Sequence, residues 1–493
     1  MPSLSPPPFE RTAHERVAVR TLVGLLCAGL LLRLALMAAW HPAFMGWPDA
    51  KSYLDVAHGE LFSSALRPAG YPAFLRVLDG LGAGITTIVL ANHVLGLATA
   101  AVLFAAVRRA GGPPLLGLVP AAIVALNGDA IFLEHSPLSE PLFIFLTAVG
   151  LYAATRTLDR ASPGWPALAG VALAGAATVR VVGLALLPLV ALWLAFVSHG
   201  VFRRRLLSAG AAALAALAVL GTYYGLEQHA TGETGLSRRG VWHFYGRVAP
   251  FADCSRFLAP PGTAPLCESP AGAPRPTTDA YIFNWWYSPA VRAFGYPFAS
   301  SPEGAGQVGA FARAVIVHQP LDYLGAVGAD MLRYVAPESF RNISGGPSYA
   351  DLAGKPILRN PQFGQDGLTS IRRYYGYKPR NFQGDRPLMD LLTGYESVTR
   401  VQGPLMVLLA LLAAAGPLVT RGRARAAALL FSLSGWTLLV APVASLQFAS
   451  RTAVPGFGVM GVAAAVGGWG CLEAARRRWP GLLSGRAARL TGS

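Results

Sequence analysis

Along this chain, long apolar runs alternate with short connections that carry most of the charge. Apolar stretches at about 17–40, 85–107, 114–133, 139–155, 165–179, 181–199, 206–224, 401–420, 425–443 and 452–472 read as helices near the roughly 20 residues that cross hydrocarbon. Stretches such as 206–224 and 403–419 contain no charged residue at all. The pattern predicts a mainly α, polytopic membrane protein, a bundle of about ten transmembrane helices. The run 165–199 admits one long tilted helix or two short ones turning at Arg180. Only the second keeps Arg203 to Arg205 on the same side as Arg156 and Arg160, so two short helices are expected.

Two polar regions interrupt the bundle. The first, 41–84, is too long for a turn and holds two expected short helices, Asp49 to Gly59 and Tyr71 to Gly80, joined by a segment with Arg67 and Pro68. The second, about 225–400, has the length of a domain. The expected organisation is a transmembrane module at 1–224 with its first outer loop at 41–84, a mixed domain at 225–400, transmembrane helices at 401–475 and a basic tail at 476–493. Within the outer domain, Ala310 to Tyr334 has apolar residues at helical spacing and reads as an amphipathic helix on the bilayer or on the domain core.

Composition agrees with this picture. Of 493 residues, 53% are hydrophobic and 13% charged, against roughly 25% charged in a soluble domain. The formal charge of +16 is carried almost wholly by arginine. Arginine clusters at 108–109, 156 and 160, 203–205, 421–425 and 476–478 fall on alternate connections. The positive-inside rule then puts both termini in the cytoplasm and the two polar regions outside a plasma membrane. Topology explains the basic balance without nucleic acid. Cys254 and Cys267 share the outer region, where a disulfide is expected and two free thiols are the alternative. The sequon Asn342-Ile-Ser344 falls on the same side.

Several short stretches at the outer ends of spans carry candidate chemistry. They are Asp49-x-x-x-Tyr53-x-x-x-Ala57, Arg67-Pro-Ala-Gly-Tyr71-Pro, Ser139-Glu140-Pro-Leu-Phe, Arg180-Val-Val-Gly and Arg451 at the start of the last span. In this order and on one membrane side, they resemble the GT-C superfamily of glycosyltransferases, close to protein O-mannosyltransferases and the lipid A aminoarabinose transferases. The resemblance covers roughly the first 200 residues and the last helix. Ala50 after Asp49 and Thr452 after Arg451 depart from the family's paired acid and Arg-Tyr pair.

The resemblance implies transfer of a mannose- or arabinofuranose-like sugar from a polyprenyl-phosphate donor to an extracytoplasmic glycan, protein or lipid acceptor. Asp49 would be the general base, with helix capping as its alternative role. Arg180 and Arg451, with Arg238 and Arg239 of the outer domain, would hold the donor phosphate, against simple snorkelling to headgroups. Tyr53, Arg67, Tyr71 and Glu140 would line the pocket. A divalent metal cation is the one candidate cofactor, with Glu134 and His135 on the short outer connection after the third span as candidate ligands. Two adjacent donors fall short of the three or more that coordination needs. His243 is a further candidate ligand or a surface residue, and Arg33, deeper in the first span, reads as structural. A polytopic transporter or lipid flippase is the competing reading, but repeated halves and midplane charges are not evident.

Overall fold

The structure is a computed structural model and describes residues 13–45, 48–159, 163–268, 275–336, 364–376, 383–401 and 403–479. The sequon at 342–344 and residues 480–493 of the basic tail lie outside the described residues. The chain is mainly α. One two-residue antiparallel pair, β1 (Trp40–His41) with β2 (Gln383–Gly384), ties the end of the first helix to the outer region.

The membrane module contains α1 (Ala13–Ala39), α4 (Ile85–Arg109), the bent pair α5 (Leu118–Ala125) and α6 (Gly128–Glu134), α7 (Glu140–Arg156), α8 (Gly164–Val179), α9 (Leu186–Val197) and α10 (Phe202–Thr231). Between α1 and α4 lie α2 (Pro48–His58) and α3 (Gly70–Gly80). After the outer region come α17 (Arg386–Thr399), α18 (Gly403–Val419), α19 (Gly422–Ser445) and α20 (Ser450–Arg478). Among the described residues five helices are long and apolar enough to cross a bilayer, or up to seven if each of two bent pairs is one span. The expected ten spans are met only in part, for a plain reason. Helices of 17, 16 and 12 residues stand at 139–155, 165–179 and 181–199, and at about 1.5 Å per residue each falls short of roughly 30 Å of hydrocarbon. The stretch 114–133 bends by 54°, because Asn127 leaves the helical path and its side chain caps α6 by accepting from Ala130 N at 2.8 Å.

Helix α20 is the hub, with 83% of its most apolar window buried. Its small residues let neighbouring backbones approach, as membrane helices must when lipid supplies no hydrophobic drive. A Cβ on Gly467 would strike the Leu412 carbonyl of α18, and one on Gly461 would meet Pro120 at 3.2 Å.

The two ends of the bundle differ chemically. At the basic end, Arg108 pairs with Glu15 at 2.8 Å and Arg109 with Asp159 at 2.5 Å, and Arg423 joins the same Asp159. His199 N donates to Thr157 O at 3.1 Å there, so 164–197 goes out and returns. Arg180 stands at the far turn, as the two-helix reading required. At the opposite end, here called the loop end, lie α2, α3 and the outer region.

Apart from β2, the outer region is helical among its described residues: α11 (Val241–Val248), α12 (Thr278–Phe283), α13 (Pro289–Phe294), α14 (Pro302–His318), α15 (Pro320–Arg333) and α16 (Gly364–Tyr375). Trp242, Tyr245, Tyr281, Phe311 and Val315 form a second core, separate from that of the bundle. The Cys254–Cys267 disulfide closes the loop beside it. Ser237 Oγ donates to Leu66 O at 2.8 Å and Arg239 N to Ala65 O at 3.0 Å, fastening the outer region to the loop that precedes Arg67.

Candidate functional site

Five charged side chains from five segments meet at the loop end. Asp49 stands in the first turn of α2, and Tyr53, one turn on, shares its face. Arg67 lies in the connection to α3. Glu140 opens α7, Arg180 is the extended residue ending α8, and Arg451 is the second residue of α20.

Local sequence sets these positions. Gly70, in the stretch Arg67 to Pro72, lies so close to the Thr178 carbonyl that a Cβ would collide with it. This contact presses α3 onto the end of α8 and brings Arg67 and Arg180 to one place. Tyr71 is buried beneath, its hydroxyl accepting from Asn92 Nδ2 at 3.3 Å and its ring edge-on to Tyr53 at 5.1 Å. Tyr53 OH and Ser139 Oγ are 3.0 Å apart, which joins α2 to the start of α7.

The ion pairs then interlock. Arg67 Nε donates to Asp49 Oδ1 at 2.8 Å and its Nη2 contacts the same oxygen, while Arg451 Nη2 reaches Asp49 Oδ2 at 2.5 Å. Arg180 Nη1 pairs with Glu140 Oε1 at 2.6 Å and donates to Ser139 Oγ at 3.1 Å. Arg451 Nη1 stands 4.0 Å from that Glu140 oxygen, so Arg451 bridges the two carboxylates. Three guanidiniums face two carboxylates, leaving one positive charge. Burial would raise the Asp49 carboxyl, but the charges of Arg451 and then Arg67, with their hydrogen bonds, outweigh it and hold the group well below the usual carboxylate range. Burial first, then the negative charge of Asp49, pushes the Tyr53 phenol up, so it stays protonated. His243 of α11 lies within electrostatic reach of Arg67 and Asp49. Burial, followed by the Arg67 charge, pushes its imidazole down to about 4.

Asp49, Tyr53, Arg67, Tyr71, Glu140, Arg180 and Arg451 thus come together. Arg238 and Arg239 stand apart from these contacts. Arg238 Nη2 donates to Phe62 O at 2.7 Å, and Arg239 holds both oxygens of Glu233 at 2.6 and 3.1 Å and Ser300 O at 2.9 Å.

Glu134 and His135 are not on an exposed connection but inside the bundle, in a second charged cluster. Arg33 grips both Glu134 oxygens, from Nε at 2.7 Å and Nη2 at 2.8 Å. His93 Nδ1 lies 3.0 Å from Glu134 Oε2, its Nε2 3.3 Å from His135 Nδ1, and His135 Nε2 2.9 Å from Trp40 O. A guanidinium seated on both carboxylate oxygens does not fit a divalent cation there. Among the described residues no group of three or more His, Cys, Asp or Glu side chains is placed to hold one. An apolar cavity separates the two clusters, lined by Ile123, Leu133, Ile144 and Phe457, with Glu134 and Glu140 both on its wall.

Sequence reasoning missed His93 and Asn92 and gave Ser139 no role. The signal was present for the first two, since adjacent polar residues inside an apolar span need an internal partner.

The chain matches no protein-family model and no curated protein sequence. Among solved structures it is similar to the archaeal oligosaccharyltransferase AglB from Archaeoglobus fulgidus in complex with an inhibitory peptide and a dolichol-phosphate. The identity is 12%, over 96% of this chain and 52% of that one, with a TM-score of 0.42. It is also similar to ArnT from Cupriavidus metallidurans bound to undecaprenyl phosphate, at 17% identity over 94% of this chain and 80% of that one, with a TM-score of 0.35. The chain spans about half the length of the oligosaccharyltransferase. Superpositions this loose assign no role to any residue.

Proposed function

We propose that this chain is an integral membrane glycosyltransferase that moves a sugar from a polyprenyl-phosphate donor to an acceptor hydroxyl, with the loop end on the extracytoplasmic face of the plasma membrane. The observation that carries the reading is the convergence of Arg67, Arg180 and Arg451 on Asp49 and Glu140 beside the bundle. A polyprenyl-phosphate sugar is a phosphodiester with one negative charge, which answers the net positive charge of these five groups.

The chemistry follows from these parts. The acceptor oxygen attacks C1 of the sugar as the C1–O bond to phosphate breaks, the bonding pair leaves on the phosphate oxygen, and the acceptor proton passes to Asp49. The departing phosphate gains a second charge, which the planar, doubly donating guanidiniums of Arg180 and Arg451 stabilise. Asp49, clamped by two guanidiniums, is a poor proton acceptor. In this reading donor phosphate draws Arg451 and Arg67 toward itself and so frees the base. Glu140 keeps Arg180 and Arg451 side by side, and Tyr53 and Tyr71 wall the pocket. Arg238 and Arg239 join the outer region to the loop carrying Arg67.

The test is the full chain in liposomes, given radiolabelled polyprenyl-phosphate sugars one at a time, with release of polyprenyl phosphate measured. Release with one donor and its loss in Asp49→Asn, with lipid phosphate still bound, are expected. Normal turnover by that variant removes Asp49 from the role of base. If no sugar donor is consumed, the transferase reading fails.

A further inference from the structure

We infer that α15 is a helix seated in the lipid interface, and that through Asp330 it positions the loop carrying Arg451. The two faces of this helix are opposite in character. Leu321, Leu324 and Leu332 are 80%, 60% and 69% exposed, and Gly325, Gly328 and Ala329 between them are exposed too. They make one apolar stripe at helical spacing, which in water would be a poor surface.

What covers the stripe follows from where the helix is tied. Tyr323 OH donates to Ala444 O at 2.8 Å and Tyr334 OH to Leu439 O at 3.3 Å. Both carbonyls belong to α19, one of the five helices able to span a bilayer. From Tyr323 to Tyr334 the chain runs roughly 16 Å, while Ala444 back to Leu439 is about 7 Å of α19. The helix therefore lies obliquely across the end of the span and descends by about the 5–10 Å to which interfacial helices sink. Leu433 and Val440 are exposed on α19 itself, so the stripe continues a lipid-facing surface. The occupant is the boundary between headgroups and acyl chains.

The inner face leads to the site. Asp330 Oδ2 accepts from Phe448 N at 2.9 Å and from Arg247 Nη1 of α11 at 2.6 Å. Phe448 lies three residues before Arg451. Its ring packs on Tyr334 at 5.0 Å and under the Arg333 guanidinium at 4.5 Å. One carboxylate thus joins the lipid-seated helix, the outer region and the turn that aims Arg451. Asp330 is a positioning residue, since it touches no reacting atom. Its meaning for catalysis rests on the transferase reading, whereas the lipid seat does not.

Two measurements on the full chain in phosphatidylcholine–phosphatidylglycerol nanodiscs test this. With Cys27 and Cys471 replaced by serine, an environment-sensitive fluorophore is placed on Leu324→Cys or, as a solvent control, on Glu303→Cys. Acyl-brominated lipid is expected to quench the first several-fold and the second hardly at all. Equal quenching at the two sites overturns the lipid seat, as does protection of Leu324→Cys that appears only with two copies per disc. Second, modification of Arg451 by phenylglyoxal, read by mass spectrometry, is expected to rise roughly tenfold in Asp330→Asn, the effect of losing about one charge-assisted hydrogen bond, with Arg180 unchanged. Unaltered Arg451 labelling overturns the positioning role, whether or not any sugar is transferred.

Discussion

Two clusters in this molecule are built from the same groups, a carboxylate gripped by guanidinium, yet differ in what they can do. Around Glu134, side-chain exposure is 1% for Arg33 and 4% for the acid, and both carboxylate oxygens are taken. Around Asp49, exposure is 14% for the acid, 29% for Arg67 and 19% for Arg451, and guanidiniums outnumber carboxylates. A pair whose acid is fully engaged holds helices together, because both of its oxygens are already taken. An open cluster with surplus positive charge can exchange one anion for another. Burial and stoichiometry, more than residue type, separate a structural ion pair from a reactive one.

Exchanging the damage between the two clusters tests the contrast most severely. Asp49→Asn is expected to lower polyprenyl phosphate release by roughly 10²–10⁴-fold, the usual worth of a general base, with the smaller loss of thermal stability in detergent of the two clusters. Glu134→Ala should do the reverse. It leaves Arg33 buried without its acid, costing about 3–5 kcal/mol of stability, seen as a lower Tm, while the folded fraction keeps its turnover. Replacing Arg33 by Met and Glu134 by Leu together should recover most of that loss. A catalytic defect in Glu134→Ala beyond its loss of folded protein would erase the distinction.

Smaller effects sharpen it. Reducing the Cys254–Cys267 bridge, which closes a loop of sequence separation 13, should cost the outer region about 3 kcal/mol, measured as faster proteolysis near 250–270. Arg180→Lys keeps the charge but loses the planar fork, and should raise the KM for a polyprenyl-phosphate sugar about tenfold, near one charge-assisted hydrogen bond.

The smallest effect concerns pH. His243 binds no proton in the folded chain until about pH 4, whereas an unfolded histidine binds one below about 6.5. The unfolded state therefore gains as pH falls between these values, and stability is restored above about 6.5. Lowering pH from 7 to about 5.5 should cost about 1 kcal/mol, absent in His243→Gln. The Asp49 cluster behaves differently. Its depressed carboxyl keeps its contribution at any pH above the ordinary carboxylate range and loses it only in stronger acid.

The apolar runs and the alternation of arginine clusters were legible without coordinates, because lipid imposes a one-dimensional rule on length and charge. The turn at Arg180 followed from the same alternation. So did the shared end of Asp49, Arg67, Glu140, Arg180 and Arg451, since the last three open or close apolar runs on the side where the connection carrying Asp49 and Arg67 lies. Beyond that, the linear pattern was silent. That Arg33 meets Glu134, that 114–133 breaks at Asn127, and that Arg238 and Arg239 are spent on Phe62, Glu233 and Ser300 are outcomes of packing between segments distant in the chain. The same holds for the clamp on Asp49, whose partners lie 18 and 402 residues away. A carboxylate's role depends on which charges surround it and whether water reaches it, and only the folded arrangement of helices sets those distances.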